Sequence, residues 1–179
     1  MQKKIKKKFV KIGLLGGTFD PPHKGHLGIS KIALKKLKLN KVIWLITKQN
    51  PFKSKPYFSI KKRYQLSKKI LKNEKKIQIK YLENRIKSQN IYNLLNYLKK
   101  REKNIKFYFL MGMDNLINFH KWHKWKKICQ LAKIVIFPRK GYSIKSLNYF
   151  ISIKMKKKKF IYINSKKFNI SSSNIKKKW

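Results

Sequence analysis

The chain has 179 residues, of which 42% are hydrophobic and 13% aromatic, so it is long and apolar enough to fold around a core as one domain. Its apolar runs are too short to cross a bilayer, and no apolar run of signal-peptide length follows the basic N-terminus, which argues against a membrane or secreted protein. The single cysteine, Cys129, cannot form an internal disulfide, and a reducing, cytoplasmic setting is expected.

The charge of the chain is extreme, because 49 Lys and Arg residues against 5 Asp and Glu residues give a formal net charge of +44. A nucleic-acid-binding protein is one explanation, since cations gain affinity by releasing counterions from phosphate backbones. Arginine, whose planar fork favours specific phosphate and base contacts, accounts for only four of the basic residues. The lysines are scattered along every segment, which favours compositional drift at tolerant surface positions. In either case the positive electrostatic field of the chain attracts anionic ligands.

Short apolar runs and amphipathic stretches alternate along the chain. Strands are predicted at residues 9–15, 41–47, 76–82, 106–112, 133–139 and 158–164. Helices are predicted at residues 26–37, 59–71 (with Ser59 as the cap), 90–100 and 113–132, followed by a helical turn at 171–178. This order predicts an α/β fold with a doubly wound, mainly parallel sheet, in a single domain covering residues 1–179. Ligands of such sheets bind at the carboxyl ends of the strands, so we expect the segments after the first, fourth and fifth strands to face one crevice.

The segment GGTFDPPHKGH, residues 16–26, follows the first predicted strand and escapes the lysine bias of the chain. Gly16 and Gly17 let the backbone approach a ligand closely, and the two prolines make the loop rigid. The next helix is predicted to start near Gly25, which puts His23 and His26 at its positive end, where free N–H groups favour an anion. Two imidazoles three residues apart can both donate to phosphate oxygens and stabilise a pentacovalent phosphorus.

Other interpretations of this segment are weaker. The histidines form two H-x-x-H pairs, His23 with His26 and His120 with His123, and four histidines could hold zinc. A structural zinc site usually contains cysteines, however, and the glutamate of an H-E-x-x-H site is absent from both pairs. The Gly-Lys-Ser/Thr ending of a P-loop is also absent. We therefore expect no resident metal, and a Gly/Pro turn with incidental histidines remains the structural alternative.

The segment resembles the nucleotidyltransferase signature Gly-x-Phe-x-Pro-x-His-x-Gly-His, which is related to the HIGH motif of class I aminoacyl-tRNA synthetases. The residues that match it in register are Gly17, Phe19, Pro21, His23, Gly25 and His26. The resemblance implies a Rossmann-like nucleotidyltransferase fold with His23 and His26 as catalytic residues. It further implies that ATP binds against Gly16, Gly17, Thr18 and Phe19.

A second segment, FLMGMDNLINFHKWHKW at residues 109–125, resembles the Gly-x-Asp-x-Leu segment, with its following tryptophan, of nicotinate-nucleotide adenylyltransferases. The matching residues are Gly112, Asp114, Leu116 and Trp122. The resemblance implies that Asp114 binds the nucleotide and that Trp122 stacks on a pyridine ring. An indole face is a suitable platform for a flat, electron-poor ring. For Trp125 we expect core packing at helical spacing.

The tail ISSSNIKKKW, residues 170–179, resembles the Ile-Ser-Ser-Thr-x-Ile-Arg motif of the same family. Ile170, Ser171, Ser172 and Ile175 match it, whereas Ser173 replaces the threonine and Lys176 the arginine. The resemblance implies that Ser171, Ser172 and Lys176 hold the triphosphate. Lysine keeps the charge of arginine but loses its bidentate contact, so we expect a weaker grip on the triphosphate.

Two further segments resemble the family more loosely. Residues 48–55 and 138–142 imply contacts to the mononucleotide from Lys53 and Arg139. One departure lies at residues 87–95, where Asn90 and Ile91 stand in place of a Ser/Thr-Tyr-Thr stretch. If the family's segment contacts the pyridine through backbone atoms, this replacement costs little binding. If it does so through a side-chain hydroxyl, recognition of the pyridine is weakened.

Together these resemblances imply an enzyme that transfers AMP from ATP to nicotinate mononucleotide, giving the dinucleotide and pyrophosphate in NAD biosynthesis. Mg²⁺ is expected to arrive with ATP, held mainly by phosphate and water. ATP and nicotinate mononucleotide are the expected partners, with no specific nucleic acid and no membrane, and the oligomeric state stays open. Three alternatives remain: another nucleotidyltransferase with the same first motif, similar to pantetheine-phosphate adenylyltransferase or a cytidylyltransferase; a basic nucleic-acid-binding protein; or a structural or degenerate protein that retains the motifs without activity.

Overall fold

The computed structural model describes residues 9–50, 52, 54–102, 104–139, 160–165, 172 and 175. Its strands are β1 Val10–Gly17, β2 Lys41–Ile46, β3 Ile77–Tyr81, β4 Ile105–Gly112, β5 Ala132–Phe137 and β6 Phe160–Tyr162. Its helices are α1 Lys24–Lys36, α2 Ile60–Ile70, α3 Glu83–Ile86, α4 Ile91–Arg101, α5 Met113–Ile117 and α6 Trp125–Leu131, with a 3₁₀ turn at Phe119–Lys121. The predicted alternation of strands and helices is confirmed.

The strands form one sheet in the order β3-β2-β1-β4-β5-β6, and each neighbouring pair is parallel. β1 lies next to the middle of the sheet, where Leu14 is paired with Ile43 of β2 on one side and with Phe109 of β4 on the other. Strand order therefore runs outward in opposite directions from β1 and β4, and a crevice opens at their carboxyl ends. The predicted doubly wound, parallel sheet is confirmed.

Helices cover both faces of the sheet, because side chains alternate from one face to the other along each strand. The face that carries Leu14 packs against α4 and α6, and the face that carries Leu15 packs against α1 and α2. Trp44 of β2 and Leu110 of β4 are completely buried. Strands covered on both sides need apolar residues at nearly every position, which explains their continuous apolar runs in the sequence.

The helical region predicted within residues 113–132 consists of α5, the 3₁₀ turn and α6. Trp122 has an extended backbone, and Lys124 has a left-handed one with φ of 51°. Trp122 therefore lies between the 3₁₀ turn and α6: its N–H donates to the oxygen of Phe119 and its own oxygen accepts the N–H of Trp125, both at 3.1 Å.

Smaller predictions fare differently. The Ser59 cap is confirmed, since its Oγ accepts the backbone N–H of Lys62 at 3.2 Å. The short helix α3 was not predicted, and the last strand is shorter than the predicted 158–164, of which residues 158 and 159 lie outside the described part of the chain. Of the predicted turn at 171–178, only Ser172 and Ile175 are described, and both are helical.

Within the described ranges, no helix has both the length and the apolar character to cross a membrane.

Candidate functional site

A cavity of about 610 Å³ lies at the carboxyl ends of β1 and β4. Ten predicted site residues line it: Gly16, Gly17, Thr18, Phe19, His23, His26, Asp114, Trp122, Arg139 and Ser172. The other predicted site residues, Lys53, Ser171 and Lys176, lie outside the described residues. The segments that follow the first, fourth and fifth strands therefore meet at one crevice, as predicted.

The two histidines of the first motif sit at the start of α1. His23 is the N-cap residue, and its Nδ1 accepts the backbone N–H of Gly25 at 3.1 Å. The backbone N–H of His23 in turn donates to Nδ1 of His26 at 3.2 Å, so the pair forms a reciprocal capping box with histidines in both roles. Because each Nδ1 accepts a hydrogen bond, the proton of each neutral imidazole lies on Nε2, which makes Nε2–H the donor. The ring centroids are 3.8 Å apart.

An aromatic wall supports His26 from the side of the core. The ring of Phe19 lies 4.8 Å from the His26 ring and stacks on Trp44 at 4.9 Å, with 1% of Phe19 exposed. Trp44 Nε1 donates to Ser30 Oγ at 2.8 Å, and the Ser30 hydroxyl donates to the backbone oxygen of His26 at 2.9 Å. The predicted ATP-binding residue Phe19 thus also holds the orientation of His26.

The rare aspartate of the first motif ties two loops together. Asp20 is 2% exposed, and its two carboxylate oxygens accept the backbone N–H groups of Tyr57 and Phe58 at 2.8 and 2.9 Å. The next residue of the motif, Pro21, contacts the C-terminal tail, because Ser172 Oγ donates to its backbone oxygen at 2.9 Å. The motif therefore contacts both the loop after β2 and the serine motif of the tail.

A buried ionic group behind the cavity was missed by the sequence analysis. Arg63 of α2 is 2% exposed, and Glu83 of α3 is 6% exposed. Glu83 Oε2 accepts the backbone N–H of Lys48 at 2.9 Å, while burial raises the Glu83 pKa more than this bond and the charge of Arg63 lower it. The sequence contains only a weak signal of this burial, namely that one of its four arginines stands among lysines in an amphipathic helix.

Asp114 and Arg139 form an ion pair in the wall of the cavity. Asp114 Oδ2 lies 3.7 Å from Arg139 Nε, and the two side chains are 18% and 33% exposed. Asp114 Oδ1 is buried and has no hydrogen-bond partner among the residues that the structure describes. A side chain at Gly112 would collide with this oxygen unless the Asp114 carboxylate moved, so glycine there lets the carboxylate keep its position. The arrangement leaves a carboxylate oxygen that can accept a hydroxyl or amino donor of a ligand.

Trp122 packs against the hydrophobic cluster on the Leu14 face of the sheet, whereas Phe19 and Trp44 belong to the cluster on the Leu15 face. It is half-buried, and its ring makes edge contacts with Phe109 and Phe119 at centroid distances of 5.9 and 5.4 Å. The unusual residues of the 87–95 segment, Asn90 and Ile91, line the same cavity. Trp125 packs against the core, as expected.

The histidine pairs do not build a combined metal site. Among the described residues, no three His, Cys, Asp or Glu side chains come together as a metal-binding group. The rings of His23 and His26 are instead held by the helix start and the aromatic wall. Their geometry suits hydrogen bonding to an anion at the N-terminus of α1.

Comparison with known proteins gives a consistent result. A family model described as cytidylyltransferase-like matches residues 14–178. A protein named a probable nicotinate-nucleotide adenylyltransferase from Pelagibacter ubique is 47% identical over 173 residues, which cover 97% of this chain and 96% of that protein. A protein of the same name from Aliarcobacter butzleri is 38% identical over 79% of this chain and 78% of its own. The solved nicotinic acid mononucleotide adenylyltransferase of Plasmodium falciparum, complexed with NaAD, has a TM-score of 0.77 and 25% identity over 94% of this chain and 83% of that one.

Proposed function

Since the chain belongs to the nicotinate-nucleotide adenylyltransferases, within the cytidylyltransferase-like family, we propose that it transfers the adenylyl group of ATP to nicotinate mononucleotide. The products are nicotinate adenine dinucleotide and pyrophosphate, so the reaction belongs to NAD biosynthesis. One observation carries the proposal: the paired imidazoles of His23 and His26 line a cavity that Asp114, Trp122 and Ser172 also line. Groups suited to phosphate, nucleoside and aromatic ring are thus within one cavity of ligand size.

In the proposed step, an oxygen of the mononucleotide phosphate attacks the α-phosphorus of ATP. A P–O bond forms while the bond from the α-phosphorus to the oxygen bridging to the β-phosphate breaks, and pyrophosphate leaves with that electron pair. No side-chain nucleophile is needed, so catalysis consists of positioning and charge stabilisation. His26 and His23 donate Nε2–H groups to the phosphate oxygens as negative charge builds, and the start of α1 adds its dipole.

The triphosphate is proposed to extend from the histidines toward the tail. Gly16, Gly17 and Thr18 line the wall beside the α-phosphate. Ser171, Ser172 and Lys176 hold the β- and γ-phosphates. The hydrogen bond from Ser172 to Pro21 supports this assignment, because it brings the serine motif against the histidine loop. Mg²⁺ enters as part of the MgATP substrate, with phosphate and water as its main ligands.

The nucleoside and mononucleotide ends are proposed to use the walls formed by β4 and β5. The buried oxygen of Asp114 accepts a donor of the ATP nucleoside. Trp122 stacks on the pyridine ring, while Arg139 and Lys53 contact the mononucleotide phosphate. Arg139 lies within 3.7 Å of Asp114, which supports placing the two nucleotides side by side.

The remaining parts of the proposal concern the setting of the reaction. The whole activity is placed on one nucleotidyltransferase domain spanning residues 1–179, in the cytoplasm, where the buried thiol of Cys129 stays reduced. The +44 charge attracts polyanions without being the function. No specific nucleic acid and no membrane partner is included.

A substrate panel tests the function. The purified chain is incubated with MgATP and nicotinate mononucleotide, nicotinamide mononucleotide or 4′-phosphopantetheine, and pyrophosphate release is followed. We expect release with nicotinate mononucleotide and formation of the dinucleotide. Release only with phosphopantetheine would point to the alternative transferase. Tight nucleic-acid binding without any pyrophosphate release would favour the binding protein.

A further inference from the structure

Arg63 makes an unusual set of contacts for a buried cation. Its Nη1 donates to the backbone oxygens of Thr18 at 2.6 Å and Thr47 at 2.7 Å. Its Nη2 donates to the oxygen of Lys48 at 3.2 Å, and its Nε donates to that of Phe58 at 3.0 Å. One guanidinium therefore links four carbonyl groups from three separate segments of the chain.

The identity of this side chain matters in a chain that otherwise uses lysine. A guanidinium spreads five N–H donors over a rigid plane, whereas an ammonium has three donors on a single atom. A guanidinium can reach four carbonyls on three segments, whereas an ammonium could reach them only if the backbone moved. Burial lowers the pKa of Arg63, and the charges of Asp20 and Glu83 raise it. Arginine stays protonated in such surroundings, so the donors persist.

The linked carbonyls belong to two neighbouring loops at the edge of the cavity, which follow the paired strands β1 and β2; the N–H of Thr47 donates to the backbone oxygen of Gly17 at 3.0 Å. Thr18 is in the loop that leads from β1 to the histidines, and Thr47 follows the end of β2. Thr18 and Thr47 both line the cavity, but Arg63 is not among the described residues that do. Arg63 therefore touches the two walls from behind and can affect bound substrate only through them.

Carboxylates hold the same two loops from the other direction. Asp20, in the histidine loop, accepts the backbone N–H groups of Tyr57 and Phe58. Glu83 accepts the N–H of Lys48 at 2.9 Å. The loop from residue 47 to residue 58 is thus bound at both ends, through its N–H groups by the carboxylates and through its carbonyls by Arg63. These bonds fix the two ends of the loop relative to the histidines.

We propose that Arg63 is a positioning residue, which fixes the spacing between the His23/His26 loop and the 47–58 loop and so aligns the attacking mononucleotide phosphate with the α-phosphorus. This role rests on the proposed function, in which the 47–58 loop borders the mononucleotide. A displacement of about 1 Å at a reacting phosphate can lower a rate by about a hundredfold. The nucleoside of ATP depends less on Arg63, because Asp114 of α5, which is proposed to hold it, lies outside both loops.

Arg63→Lys tests the proposal, because it keeps the charge and loses the fork. We expect KM for the mononucleotide to rise by at least about tenfold and kcat to fall, while KM for ATP stays within about threefold. A purely structural role would lower the amount of folded enzyme and leave both KM values unchanged, which would overturn the proposal. Ser67→Ala is the matched control, since it removes a buried hydrogen bond from Ser67 to Arg63's own backbone oxygen, one turn along α2. It should leave both KM values unchanged.

Hydrogen exchange gives a second readout that does not depend on catalysis. Arg63→Lys should speed amide exchange in peptides covering residues 47–58, while peptides from the last turns of α1 keep their wild-type protection. Unchanged exchange in residues 47–58 would overturn the proposal even if the wild type proved inactive. If Arg63→Lys does not fold, Asp20→Asn loosens the same loop from the other side and should give the same split between the two KM values. Inactive wild-type enzyme would overturn the proposed function alone.

Discussion

The backbone N–H of His23 donates to Nδ1 of His26 at 3.2 Å, so the second imidazole of the pair is orientated by the backbone of the first. The Nδ1 of His23 is likewise occupied, by the N–H of Gly25 at 3.1 Å. Capping of α1 therefore uses one nitrogen of each ring, and the other nitrogen carries the proton that can be donated to phosphate. A substitution that keeps the hydrogen-bond acceptor at the position of Nδ1 and removes the Nε2–H donor can therefore separate an effect on stability from an effect on catalysis.

His23 allows the first such separation. In His23→Asn the amide oxygen can still accept the N–H of Gly25, whereas His23→Ala has no acceptor. Loss of the cap should lower the free energy of unfolding by about 1 kcal/mol, or Tm by about 2–4 °C, in the alanine variant only. Both variants should lower kcat by about tenfold or more, because both lack Nε2–H. Thermal unfolding and steady-state kinetics measure the two effects. Wild-type kcat in His23→Asn would contradict the phosphate contact.

Trp122 is predicted to act through its ring face. Trp122→Ala should raise KM for nicotinate mononucleotide by up to about tenfold, since aromatic stacking contributes about 0.5–1.5 kcal/mol, and leave KM for ATP nearly unchanged. Trp122→Phe retains a ring and should lie within about threefold of the wild type. Trp125→Phe is the matched control in the core, where only stability should respond. A KM for the mononucleotide that does not respond to Trp122→Ala would remove the pyridine platform from the account.

Glu83 predicts a pH dependence of stability. Burial raises its pKa above the value of about 4.3 that a glutamate has in an unfolded chain, so the folded protein binds this proton more tightly. The stabilisation is complete below the unfolded value and is lost as pH rises through the folded pKa. Glu83→Gln does not titrate and should not show this decline.

Urea unfolding of the wild type and Glu83→Gln across pH 4–8 measures the difference. The free energy of unfolding of the wild type should fall relative to that of Glu83→Gln as pH rises from about 4.3. Glu102→Gln, at an exposed carboxylate, controls for the loss of one negative charge. Curves for wild type and Glu83→Gln that stay parallel, or that diverge in the other direction, would contradict the assigned cause.

Much of the fold follows from patterns that are local in the sequence. Every predicted strand is present: β2 and β5 are buried on both faces and apolar along most of their length, whereas β3 shows the alternation of a strand with one exposed face. The helix start at His23 follows from prolines that end the loop and from the free N–H groups beyond them. Local patterns also place Gly112 and Asp114 at the carboxyl edge, since Gly112 ends β4 and Asp114 lies two residues beyond it.

Other features depend on contacts between distant segments. The helical spacing of residues 113–132 is interrupted at Trp122, whose ring packs on Phe109 of β4, so tertiary packing overrides local preference. In the sequence, Arg63 is not distinguished from the surface lysines of α2. Only its contacts with the carbonyls of Thr18, Thr47 and Phe58, from distant segments, show that it is buried. No pattern within one segment reveals such a link.

The central claim is that His26 donates Nε2–H to the reacting phosphate, and His26→Asn tests it most directly. The asparagine oxygen can still accept the N–H of His23, so Tm should stay within about 2–4 °C of the wild type. Lys35→Ala, on the exposed side of the last turn of α1, is the control. With saturating MgATP and nicotinate mononucleotide, kcat of His26→Asn should fall by about 10²–10³. A folded His26→Asn enzyme with kcat within about threefold of the wild type would contradict the account.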